Sequence, residues 1–357
     1  MSRNRFEGIL GSLRYTDRKD IKYYYGLFHM RQMEESWNLN TAEEFNPSWI
    51  NVLDGIMMEW FNKYAPGFMC VERKLYPFGN ERHTISCGLT SILWRAQIVE
   101  GKDRPQQIGQ REYNELGKTV SLMLRMCRPI FGSGKDVVLD SGFCVAKVIA
   151  ELEAKGVYAA ALIKKRHYGP KGVLGGLVDT HFEDKDVGCV GMIEARTEDN
   201  KLFKMFCMKE PHYVMKIMVS WMTFDELEGA RTGRYFIDSS GTKETKHFTY
   251  RQPFGIHFRY GHQVDDHNNW RHVPISLERK WATKFWPDRN FSWYLSESEV
   301  NTALVSGHFQ NDGVVQPSLD FGRALVIECL GNTIGVELGE NGRPNRTSKI
   351  PIYVPCE

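Results

Sequence analysis

Two short apolar runs constrain this chain most. Val137-Val138-Leu139 and Val157 to Ile163 flank a stretch, Cys144 to Lys155, whose Val145, Val148, Ile149 and Leu152 recur at helical spacing. Gly156 stops that helix. Apolar runs without polar alternation read as buried strands, and strand–helix–strand implies a right-handed parallel crossover. The chain is thereby committed to an α/β sheet flanked by helices. Its 357 residues, 42% of them hydrophobic, supply a large core.

Upstream the pattern differs. Trp49-Ile-Asn-Val-Leu-Asp54, His83 to Leu89 and Ile92 to Val99 are three consecutive strand candidates, the last two joined tightly through Thr90-Ser91, and they predict an antiparallel meander. Glu112 to Arg128 predicts a helix, broken at Gly132-Ser133-Gly134. Residues 1–47 read as a helical lead-in, with Phe6, Ile9, Leu10 and Leu13, then Phe28, Met30, Met33 and Trp37, at helical spacing. Downstream, 166–247 reads as a β-rich insertion opened by four glycines (169, 172, 175 and 176). A long helix is expected from Pro287 to about Val305, proline suiting its first turn. The expected organisation is therefore a lead-in 1–47, a core 48–165, the insertion 166–247, a second core part 248–310 and an irregular tail 311–357.

Charge narrows the function. Lys plus Arg is 46 and Asp plus Glu 44, a net charge of +2, which excludes histone-like binding driven by bulk charge. Any nucleic-acid surface must come from local clusters. Two qualify: Lys164-Lys165-Arg166 with Lys171, and Arg259 and Arg271 among Trp270, Trp281 and Trp286. The N-terminus lacks the apolar core of a secretory signal, and the longest apolar run falls far short of a membrane helix. The eight cysteines form no CxxC pair and read as reduced core thiols of an intracellular protein. Gly132-Ser-Gly-Lys135 is not a phosphate loop, because Pro129 and Asp136 stand where glycine and Ser/Thr are needed. His257, His262, His267 and His272 fall five apart, share no face of a helix and are expected at the surface or facing DNA rather than on a metal.

Three acids stand out by position. Asp54 follows the first strand, Asp140 the central apolar strand, and Asp265 opens the segment before the last long helix. An ionised carboxylate directly after Val-Val-Leu is costly unless it is paired or binds metal; a helix cap is the plainer alternative for Asp140. A meander followed by α–β–α–β, with acids on the first strand, the fourth strand and a later helix, is the ribonuclease-H-like arrangement. Two Mg²⁺ ions about 3.5–4 Å apart can clamp the attacking and leaving oxygens of a phosphodiester. Such ions need only a few carboxylates, because water and the substrate phosphate complete the shell.

On these residues the chain resembles the piggyBac family of DNA transposases. Ser2-Arg-Asn-Arg-Phe-Glu7 with Leu10 to Tyr15 is similar to the family's opening segment. Asn46-Pro47 to Asp54 resembles the stretch leading to its first catalytic acid, and Val137 to Gly142 the strand carrying the second. Val264-Asp265, Arg271 and Trp286-Pro287 resemble the region of the third. The resemblance implies Asp54, Asp140 and Asp265 as catalytic metal ligands, Asp266 as an auxiliary acid, and Mg²⁺ as cofactor with Mn²⁺ substituting. It also implies double-stranded DNA as partner (transposon ends and a TTAA-like target), a homodimer, and a nuclear location. Cleavage would be hydrolytic and joining a direct transesterification, with no covalent enzyme intermediate. Gly55 stands where the family commonly has Glu, and Asn268 where a second acid often follows; the family's cysteine-rich C-terminal zinc module has no counterpart here. A catalytically inactive, transposon-derived protein that binds DNA or protein is the alternative reading.

Overall fold

The computed structural model describes residues 27–100, 112–164, 175–196, 202–237, 240–272 and 285–310, with isolated or short stretches elsewhere. Residues 316–357 form a second unit, of which 320–325 are described and helical.

Helix α1, Phe28–Glu44, leads in. Strand β1, Ile50–Glu59, does not end at Asp54, because Ile56 and Met58 continue its apolar alternation past the acid. After β2, Met69–Cys70, come β3, Phe78–Cys87, and β4, Leu93–Ile98. β1 pairs antiparallel with β3 and β3 antiparallel with β4, as the meander requires. Helix α2 is shorter than the 112–128 pattern: Gly117, at φ +95°, breaks it, and regular helix runs only over Lys118–Cys127.

The strand–helix–strand unit is β5, Asp136–Leu139, α3, Ala146–Ala154, and β6, Tyr158–Leu162. β5 lies parallel between β1 and β6. Gly156 adopts φ +69° just past α3, and a Cβ there would lie 2.9 Å from the Gly132 Cα, so this turn admits only glycine without strain.

Within 166–247 the structure describes a short helix α4, Gly175–His181, and five strands: β7, Val190–Arg196; β8, Leu202–Lys209; β9, Val214–Val219; β10, Glu226–Ile237; and β11, Lys243–Arg251. β9 pairs antiparallel with β6, so β7 to β9 extend the main sheet, whose order is β2-β3-β1-β5-β6-β9-β8-β7 with β4 outside β3. β10 and β11 form a separate ribbon. Among the described residues, the ribbon is followed by α5, Gln252–Tyr260; α6, Gln263–Arg271; and α7, Trp286–Phe309.

The sheet is buried on both faces. Leu53, Val137 and Leu139 pack with Met123, Leu124, Val148 and Leu152 of α2 and α3. Val52, Ile56, Met58 and Val138 point the other way, against Phe254, Val264 and Trp293 of α5, α6 and α7. Each such fully buried side chain contributes about 1.5–3 kcal/mol. Strand alternation then fixes the acids: Asp54 has the parity of Val52 and Ile56, and residue 140 that of Val138, so both belong to the α6 face.

Candidate active site

Asp54 sits mid-strand on β1, half-buried, with its carboxylate accepting the Gly55 N–H at 2.6 Å. Asp140 follows β5 directly, and its backbone N–H donates to the Leu53 carbonyl, tying it to β1. Asp265 lies in the first turn of α6 and is exposed. Asp54 feels the other two: burial first, and then the negative charges of Asp140 and Asp265, push its carboxyl up to about 6 against the pull of Lys74.

Asp140 behaves oppositely. Burial alone would raise it, but the Ser141 and Gly142 N–H groups facing it, with Lys164 and Arg73, hold it below the ordinary carboxylate range. Lys164 Nζ lies 3.8 Å and Arg73 Nη1 4.0 Å from its oxygens, and both cations are well exposed. Lys74 donates to the Gly55 carbonyl at 2.6 Å. Arg73 and Lys74 escaped the sequence reading because they lie in the loop before β3 and reach the acids only through β1–β3 pairing. His257 on α5 belongs to the same surroundings; burial drives its imidazole down to about 4, leaving it neutral at pH 7 beside Asp140 and Lys164.

The other sequence candidates scatter. Asp266 pairs with His262 at 3.2 Å, one turn back on α6. Arg259 donates to the Glu228 carbonyl at 3.1 Å. Lys165, Arg166 and Lys171 lie outside the described residues. Arg271 does not face DNA: it is buried and bonded to Glu278, Glu297 and the Met57 carbonyl. His267, expected at the surface, is fully buried between the Ser91 carbonyl (2.9 Å) and Glu297. Both go inside because glutamates across the core neutralise them, a pairing no local pattern signals.

Gly55 faces the side opposite Asp54, where a Cβ would lie 2.7 Å from the Glu81 Oε1. Asn268 is hydrogen-bonded through Oδ1 to Arg271 at 2.6 Å. Among the described residues no three His, Cys, Asp or Glu side chains close on one point. Mg²⁺ held by one or two carboxylates needs no such cluster. The donor set fits hard divalent cations: carboxylates only, one of them resisting ionisation because it is buried and, beyond that, because the other two are near.

A family model described as Transposase IS4 matches residues 1–302. The chain belongs to this transposase family. Among solved structures, the cryo-EM structure of a piggyBac transposase synaptic complex with hairpin DNA matches with a TM-score of 0.67 at 15% identity, over 93% of this chain. This transposase-family chain spans 65% of the length of that solved chain. No curated protein matches it. The fold is thus the ribonuclease-H-like α/β fold of the piggyBac transposase. Among the described residues no helix is long and apolar enough to cross a membrane.

Proposed function

We propose that the chain is the catalytic region of a piggyBac-like DNA transposase, cutting and joining DNA strands with divalent metal held by Asp54, Asp140 and Asp265. The observation that carries this is the placement of Asp54 mid-strand on β1, of Asp140 directly after β5 with its N–H bonded to the Leu53 carbonyl, and of Asp265 in the first turn of α6, with Asp140 and Asp265 near enough to add to the burial that raises the Asp54 carboxyl. Asp54, Asp140 and Asp265 would hold the divalent ions, Mg²⁺ or Mn²⁺, through their carboxylate oxygens. Bound there, the pair would activate the attacking oxygen and stabilise the leaving one. Arg73 and Lys164 then turn from Asp140 to the substrate phosphate, which they can reach because their side chains are more than half exposed. The nucleophile is water in cleavage and a 3′-hydroxyl in joining, so no side chain forms a covalent bond to DNA.

The partner in this reading is double-stranded DNA, transposon ends and a TTAA-like target, acted on by a homodimer in the nucleus. The test is nicking of supercoiled plasmid with Mg²⁺ or Mn²⁺. Wild type should nick, and Asp140→Asn, with its fold intact, should fall at least about a hundredfold, the scale of losing one transition-state stabiliser. Retained nicking by Asp140→Asn sinks the site. Binding of DNA with no nicking by either protein favours a non-catalytic descendant.

A further inference from the structure

Behind α6, on the side away from solvent, lies a set of buried charges that cleavage itself does not use. The side chains of His267, Arg271, Glu278 and Glu297 have no exposure, and Arg289 has little. One guanidinium gathers them. Arg271 Nη2 donates to the Met57 carbonyl on β1 at 3.0 Å and to Asn268 Oδ1 at 2.6 Å; Nη1 donates to Glu278; and Nε lies 3.1 Å from Glu297 Oε1 on α7.

The placement of this contact along its two elements is informative. Met57 lies three residues past Asp54 on β1, about 10 Å along a strand. Arg271 lies six residues past Asp265 on α6, about 9 Å along a helix. Along the strand and along the helix, the acids and the Arg271–Met57 contact are therefore separated by nearly the same length, so that one contact fixes α6 on β1 a short, rigid distance from the acids. A buried ion cluster is a weak source of stability, since apolar side chains of similar volume commonly do as well. A planar fork bonded on several sides does fix distance and orientation.

We propose that Arg271 is a positioning residue, latching α6 to β1 and thereby setting the separation of Asp265 from Asp54. The proposal rests on the metal-binding reading of those acids. Lysine does not reproduce it, because an ammonium concentrates its three donors at one point, whereas Met57, Glu278 and Glu297 lie around different nitrogens of the guanidinium fork. Loss of a group bonded directly to a metal ligand typically costs about 10–100-fold in metal affinity; Arg271 acts through the backbone one step further out, so the lower end of that range is the expectation.

The experiment is Mn²⁺ titration of the full chain without DNA, read by electron paramagnetic resonance, with a thermal melt of every variant. Asp54→Asn should abolish the tight binding. Arg271→Lys should weaken it at least about tenfold, whereas Glu278→Gln, which disturbs the same buried cluster but leaves the Nη2–Met57 contact, should stay within about threefold of wild type. If Arg271→Lys binds Mn²⁺ like wild type while Asp54→Asn does not bind, the latch is refuted and the acids stand. If Arg271→Lys and Glu278→Gln lose affinity in proportion to their loss of stability, Arg271 is merely structural and the proposal falls. If Asp54→Asn binds like wild type, the metal reading falls and takes the latch with it. Should Arg271→Lys alone fail to fold, the double variant Arg271→Lys/Glu278→Gln, with one fewer buried carboxylate to satisfy, carries the same comparison.

Discussion

Asp54 carries a cost that the fold alone does not require. Burial and two like charges raise its carboxyl from the ordinary 3.8 to about 6, so the native state holds this proton more tightly than the unfolded chain does. Below pH 4 both states are protonated and nothing is lost. As pH climbs through 6, the native state must ionise a group it disfavours, at a cost of at most about 3 kcal/mol, which solvent reaching this half-buried side chain trims to about 1–2. Asp54→Asn should therefore be more stable than wild type at pH 8 by about that amount, with the gap closing between pH 6 and 4. Thermal melts at several pH values read it directly, and equal stability at pH 8 would show that the Asp54 carboxyl is not raised in the folded state. Gly55 is a different kind of departure. A glutamate there would crowd Glu81 on the face away from Asp54, so Gly55→Glu should leave plasmid nicking unchanged or lower, and a gain would mean that the residue 55 side chain reaches the acids.

At the scale of elements, the outer strand β4 shows how this sheet closes an edge. Asn38 of α1 accepts the Ala96 N–H on Oδ1 at 2.9 Å and donates Nδ2 to the Ala96 carbonyl at 2.8 Å, and Asn301 of α7 does the same for Leu93 at 2.9 and 2.7 Å. Glu34 accepts the Ile98 N–H at 2.8 Å. Two helices thus supply, through side chains, the bonds that a further strand would make, which hides an edge otherwise open to association. Asn38→Ala strands a buried donor and a buried acceptor together and should cost about 2–4 kcal/mol in urea unfolding; a loss below about 0.5 would mean water replaces the amide. None of this was visible in the sequence, where Asn38 and Asn301 are ordinary helix-surface residues. What was legible is what local patterns record. Val137 to Leu139, Val157 to Ile163 and the Gly156 stop specify the parallel unit by composition alone, and Asp54 and Asp140 stand out because acids rarely follow such runs. Arg73, Lys74 and the burial of His267 and Arg271 depend on partners far along the chain, and β1 outran its expected end because one acid in the middle of a strand looks like its terminus.

Taken whole, the molecule offers DNA almost no long-range attraction: 46 basic and 44 acidic residues leave +2, and the proposed centre is itself negative. Affinity for the proposed DNA partner must then arise from a few phosphate contacts, each of which releases counterions and adds about 0.9 to the slope of log K against log salt. Lys164 is the best-placed cation among the described residues for one of them. It lies just past the end of β6, its side chain is 61% exposed, and it pairs with Asp140 at 3.8 Å. Arg259 is held at the α5–ribbon junction by the Glu228 carbonyl, and Arg271 is enclosed. Lys164→Ala should lower the salt slope by about 1 and weaken binding equally on any DNA sequence. It should also let the Asp140 carboxyl rise, since a cation that holds it down is gone, so nicking by the variant should decline at a higher pH than in wild type as the solution is acidified. An unchanged slope in filter-binding assays across 50–200 mM salt would remove Lys164 from the DNA path and leave the approach to the acids to Arg73, which lies 4.0 Å from the other oxygen of Asp140.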